Sequence, residues 1–166
     1  MKHLLVLFFS FCLIFSSIFT TEAKAPDTCT TAYIEYINND FYAEVELSVT
    51  DKNHTPLSTD NSLYSTRAAR ASTYQKTASK TYKIKNRAGA TVASYTLTGT
   101  FVYNGSSSTC TKASYSTSIY NSIYSFVSKS AYRSGNTAIG SFKISSSIQT
   151  ISKTLSLKCS ASGTIQ

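Results

Sequence analysis

Apolar and polar residues alternate with a period of two along much of this chain, most cleanly from Phe41 to Thr50. There Phe41, Ala43, Val45, Leu47 and Val49 share one face and Tyr42, Glu44, Glu46, Ser48 and Thr50 the other, the signature of a strand buried on one side. Tyr33 to Ile37 precedes it across Asn38-Asn39-Asp40, three turn-formers that suit a hairpin. Thr73 to Lys85 repeats the alternation, with Ala78, Tyr82 and Ile84 opposed to Thr77, Ser79, Thr81, Lys83 and Lys85. Asn86-Arg87-Ala88-Gly89 then turns the chain back. Thr91 to Tyr103 aims Ala93, Tyr95, Leu97, Phe101 and Tyr103 at a core and leaves Val92, Ser94, Thr96, Thr98, Thr100 and Val102 opposite.

Asn104-Gly105 closes the next hairpin, because both residues tolerate the positive φ of a tight turn. Its return strand carries Cys110, Ala113 and Tyr115, and two registers stay open. A three-residue loop with a bulge sets Leu97 against Ala113 and Tyr95 against Tyr115; a two-residue loop puts Cys110 on the core face. Further strands are expected at Ile119 to Ser128, at Thr137 to Ile144 after the turn Arg133-Ser134-Gly135-Asn136, and at Ser147 to Cys159, where Ile151, Leu155, Leu157 and Cys159 share a side. Asp51 to Ser62 reads as a polar loop, and residues 63–73, with Arg67-Ala68-Ala69-Arg70-Ala71, as the one helical turn. Seven to nine short strands predict an all-β, antiparallel β-sandwich, with an immunoglobulin-like outline as one form of it and a barrel as the rival.

Composition agrees. Ser and Thr make up 52 of the 166 residues, beside 12 Tyr, 9 Phe and only two Pro. A disordered Ser/Thr stalk is rich in Pro and poor in aromatics, so this chain should fold. Thr, Tyr, Val, Ile and Phe suit a pleated, half-buried surface.

The N-terminus bears on the compartment. Lys2 and His3 precede the apolar run Leu4 to Phe19, which a polar stretch ending in small residues follows. This is the pattern of a secretory signal peptide over residues 1–25, with cleavage after Ala23 or after Ala25. Residues 26–166 are then a single secreted β domain of ordinary size, exported and without a membrane-spanning segment.

Three cysteines survive processing: Cys29, Cys110 and Cys159. An oxidising compartment favours one pair. Cys110 with Cys159 is expected, since both sit inside well-formed strand patterns while Cys29 lies near the mature end. No metal site is expected, because the mature chain has no C-x-x-C and a single histidine, His54. His54 lies in the polar loop Asp51 to Pro56 with no elbow motif near any serine, so no catalytic residue is assigned. Glu44 and Glu46 stand about 7 Å apart on one strand face, a spacing that glycoside hydrolysis can use, yet a solvated face explains them as well. No cofactor is implied.

Charge is lopsided. Every mature acid lies at or before Asp60, and none occurs in the remaining residues, which contain thirteen Lys and Arg. Arg67, Arg70, Lys76, Lys80, Lys83, Lys85 and Arg87 form the candidate basic strip, with Lys83 and Lys85 pointing out together beside Arg87. Such a strip attracts polyanions: teichoic acid, anionic lipid headgroups, acidic glycans or released DNA. Sequence-specific nucleic-acid binding is not expected, because no recognition-helix or zinc-finger pattern is present.

The order of Thr81 to Asn86, Gly89, Tyr103-Asn104-Gly105, Cys110, Ser118 to Ser122, Ser134 to Ala138 and Cys159 resembles a group of small secreted Ser/Thr/Tyr-rich β proteins of unknown function from Gram-positive, clostridia-like bacteria. The chain departs from it at Tyr124-Ser125-Phe126, where a Trp often sits, and by Cys29. The resemblance implies a secreted bacterial origin, supports the late-cysteine pairing, and supplies no activity. The expectation is an exported, non-enzymatic β-sandwich acting at the cell envelope or outside the cell, binding an anionic polymer or a protein. A secreted toxin-like or antagonistic factor acting on membranes is the alternative.

Overall fold

The computed structural model describes residues 28–51 and 72–166. The signal segment, His54, Arg67, Arg70 and almost all of the expected helical turn lie outside the described residues. Eight strands run through the rest: β1 (Thr28–Tyr36), β2 (Phe41–Asp51), β3 (Tyr74–Asn86), β4 (Thr91–Tyr103), β5 (Ser108–Ile119), β6 (Ser125–Ser134), β7 (Thr137–Ser145) and β8 (Thr150–Lys158). They form a long sheet, β1-β2-β3-β4-β5, and a short one, β6-β7-β8, antiparallel throughout. The expected antiparallel sandwich is the architecture found.

The immunoglobulin-like outline is not. Each strand pairs only with its neighbours in sequence, so both sheets are meanders without the Greek-key return of that fold. The short turns β3–β4, β4–β5, β6–β7 and β7–β8 each set a strand beside the previous one, while the five residues between β5 and β6 carry the chain from the long sheet to the short one.

Alternation placed the core correctly on β2, β3 and β4: Phe41, Ala43, Val45, Ala78, Tyr82, Ile84, Ala93, Tyr95, Leu97 and Phe101 are buried. Val92 is an exception. The β3–β4 register slips between Ile84 and Lys85, which leaves Val92 unmatched in the ladder, and its carbonyl accepts from the Tyr120 and Asn121 amides as that segment crosses over it. Val92 is therefore buried rather than outward.

Neither hairpin register expected for β4–β5 occurs. The loop holds four residues, Asn104 to Ser107, with Tyr103 opposite Ser108. Asn104 Oδ1 accepts from the Ser106 and Ser107 amides, and Gly105 supplies the positive φ of 86°. A bulge then skips Thr111, so Phe101 faces Cys110, Leu97 faces Tyr115 and Tyr95 faces Thr117. The loop and the bulge together place Cys110 in the core.

The strand expected over Ile119 to Ser128 is two strand ends and a link. β5 runs to Ile119 and β6 starts at Ser125. Asn121 makes the break: its Oδ1 accepts from the Ile123 amide and its carbonyl from the Tyr124 amide. Tyr124 then folds inward against Phe41, ring edge to face at 6.2 Å.

Tyr95 joins the sheets. Its ring stacks on Phe142 of β7 at 4.9 Å, and its hydroxyl continues to the Ser130 carbonyl of β6 at 2.6 Å. The path runs past Gly140, where a Cβ would collide with the Tyr95 hydroxyl and come within 2.9 Å of Leu97. A Gly140→Ala variant is thus overpacked. Chemical denaturation should find it less stable by about 1–3 kcal/mol, and an unchanged midpoint would mean the sheets meet differently.

Burial first, then Tyr115, pushes the Tyr95 phenol up to about 12, against about 10 in an unfolded chain. The folded state holds this proton more tightly, so its contribution to stability is complete below pH 10 and is lost as the pH rises toward 12. In an alkaline titration followed by phenolate absorbance, the Tyr95 phenol should ionise only together with unfolding; its ionisation in the still-folded chain would contradict its burial.

Candidate binding surface

Antiparallel register brings the acids of β2 against the lysines of β3. Glu44 and Glu46 stand on the outer face of the long sheet, opposite Lys83 and Thr81. Lys85 Nζ reaches Glu44 at 2.6 Å and Lys83 Nζ reaches Glu46 at 3.2 Å, each pair diagonal across the strands. The Glu44 carboxylate holds the Lys85 ammonium above the usual lysine range. These four residues form a closed ladder of ion pairs, neither a cationic strip nor a free pair of carboxylates.

The other expected strip residues separate. Lys76 and Lys80 stand on the inner-face side of β3, in phase with Ala78 and Tyr82. Lys76 pairs with Asp51 at 3.2 Å and donates to the Gly163 carbonyl. Lys80 donates to the Ser156 carbonyl of β8 and is pushed down, first by burial and then by Lys153. Nearby, Glu35 of β1 accepts from both Lys153 of β8 and the Tyr82 hydroxyl, tying the edge of the long sheet to the short one. Of the described strip residues Lys80 and Arg87 have no carboxylate partner, and Arg87, in the β3–β4 turn, is the one of the two that does not donate to a backbone carbonyl of β8. It borders an open cleft of about 420 Å³ with Tyr36, Asn39, Asp40 and Tyr42. Arg67 and Arg70 lie outside the described residues.

The ion pairs take up Glu35, Glu44, Glu46 and Asp51, leaving Asp40 as the one described carboxylate without such a partner. Among the described residues Lys112, Lys129, Arg133, Lys143 and Lys158 make no ion pair with an acidic side chain. The outer face of the short sheet follows: Ser128, Ser130, Ser141, Ser152, Thr154 and Ser156 with Lys143 and Lys158, beside Tyr132 and Ile139, and among the described residues no acidic side chain. A dip of about 300 Å³ there is lined by Ser128, Ser141, Lys143, Ser152 and Thr154. The charge asymmetry of the sequence extends to this face, whereas the lysines clustered in β3 meet carboxylates or backbone carbonyls.

Among the described residues no group of three or more His, Cys, Asp or Glu could hold a metal ion. No family model, no curated protein and no solved structure matches this chain.

Cys110 and Cys159 are both buried and share one corner, where the turn after β6 meets each: the Cys110 amide donates to the Gly135 carbonyl and the Cys159 amide to that of Asn136. The expected disulfide is not formed; both are thiols, with Cys29 exposed. Burial pushes both thiols up, and Cys110 adds to the rise at Cys159 while Lys76 opposes it. A bond between them would close a loop worth about 4 kcal/mol. Protein alkylated without reduction while unfolded should take a label on each of Cys29, Cys110 and Cys159. A single label, on Cys29, would contradict the free thiols.

Proposed function

We propose that this chain is an exported, non-enzymatic binding protein that works through its surface at the cell envelope or in the surrounding medium and engages an anionic partner by charge. The observation that carries the reading is the outer face of the short sheet, where among the described residues no acidic side chain stands and Lys143 and Lys158 rise among hydroxyls with Tyr132 and Ile139 between them. With the carboxylates of β1 and β2 held in ion pairs, the attraction a polyanion would feel comes from the short sheet and from Arg87. The signal peptide belongs to this reading as its route of export.

The alternative, a secreted toxin-like or antagonistic factor acting on membranes, draws on the apolar side chains at one end of the sandwich.

Retention on immobilised polyphosphate across a salt series tests the main reading, since exposed charge attraction weakens as ionic strength rises. Two variants of equal net charge separate location from total charge. Lys143→Gln plus Lys158→Gln should weaken retention severalfold, and Lys83→Gln plus Lys85→Gln much less. Retention indifferent to salt would contradict the reading.

A further inference from the structure

One end of the sandwich is built from four connections: β1–β2 at residues 37–40, β3–β4 at 87–90, β5–β6 at 120–124 and β7–β8 at 146–149. The Phe41–Tyr124 contact joins the two sheets there. The end is closed beneath by Phe41, Val92 and Tyr124, all buried. Above that floor the side chains are apolar and uncovered: Tyr36, Tyr120, Ile123, Val127 and Ile148 are 61% to 84% exposed. At the opposite end, the hairpin turns Asn104–Ser107 and Gly135–Asn136 carry only Asn, Gly and Ser.

We infer that this end docks onto an anionic lipid surface. The inference rests on the charge-driven reading above and names its partner. An isoleucine at the tip of a Ser-rich turn, as in Ser145-Ser146-Ser147-Ile148-Gln149, does nothing for the core and leaves apolar area in water. The apolar groups are spread over this end, Ile148 on one turn, Tyr120 and Ile123 on another, Val127 near the start of β6 and Tyr36 at the end of β1 beside the Arg87 cleft, a form suited to a fluid boundary that closes around each of them. Tyrosines among them match the interfacial zone, where an apolar ring and a hydroxyl are both accommodated.

Charge complements this. Arg87 stands in one of the four turns, Lys143 two residues before the end of β7, and Lys129 leans over the Phe126 ring at 5.6 Å; the one acid there is Asp40. Each such cation near an anionic leaflet adds attraction on the order of 1 kcal/mol, or about fivefold. Several amides of the turns are already occupied by side chains: Asn38 Oδ1 accepts from Asp40 and Phe41, Asn86 Oδ1 from Ala90, Asn121 Oδ1 from Ile123, and Ser146 Oγ from Ile148 and Gln149.

The chain has no tryptophan, so a single one reports its own surroundings. The protein would be mixed with vesicles of phosphatidylglycerol and phosphatidylcholine, or of phosphatidylcholine alone. Sedimentation with the anionic vesicles is expected, with a blue-shifted emission for Ile148→Trp and none for Ser106→Trp at the far end. Ile123→Ser plus Ile148→Ser should lower vesicle binding about tenfold or more while leaving polyphosphate retention intact. Loss of vesicle binding alone in that double variant thus separates this inference from the broader reading. No sedimentation, equal shifts at both reporters, or a double variant that binds like the parent would overturn it. So would a lipid-free dimer dissolved by the same two substitutions without any vesicle binding, which would assign this end to a second copy.

Discussion

The Tyr95 side chain spans the gap between the sheets, stacked on Phe142, passing Gly140 and ending on the Ser130 carbonyl. A phenol long enough to cross a sandwich must find an acceptor on the far side, or it buries an unsatisfied hydroxyl. That requirement fixes β6 and β7 over β4 in one arrangement, with β7 carrying the glycine that lets the ring through. Once the short sheet sits there, β8 lies over β3, and Lys153 and Lys80 meet Glu35 and the Ser156 carbonyl. The four turns at one end are then brought together as a consequence.

The same register that builds the long sheet decides its electrostatics. Glu44 and Glu46 face β3 because β2 alternates, and the lysines of β3 face β2 for the same reason. Their pairing is exposed and contributes modestly to stability. Its larger effect is on the surface, because it neutralises the outward lysines of β3 and leaves the short sheet, Lys112 and Arg87 among the described places where positive charge has no acidic side chain paired with it.

Strand positions were legible where alternation was long and uninterrupted: β2, β3, β4 and β7 lie where their patterns put them, within about a residue at each end. The failures have local causes. In Ile119 to Ser128 every residue is acceptable in a strand, and the break depends on Asn121 capping its own turn and on Tyr124 having a place beside Phe41, which only tertiary packing provides. The β4–β5 register depended on a four-residue loop plus a bulge at Thr111, a combination that residue types do not announce. Alternation alone already put Lys83 and Lys85 outward, but which acids they would meet depends on β2–β3 register, set across a long connection. The apolar tips were readable in principle, since Ile148 stands alone among serines, yet assigning that stretch to a strand hid its exposure.

The orientation of the two sheets carries everything built on their surfaces, and proton–proton distances across the gap measure it directly. In a nuclear Overhauser spectrum of the folded chain, the Tyr95 ring protons should show strong cross-peaks to the Gly140 α-protons, with Phe41 and Tyr124 ring protons coupled at the apolar end. Absence of the Tyr95–Gly140 peaks, with Tyr95 instead contacting residues of its own sheet alone, would contradict the packing and the placement of the surfaces that follow from it.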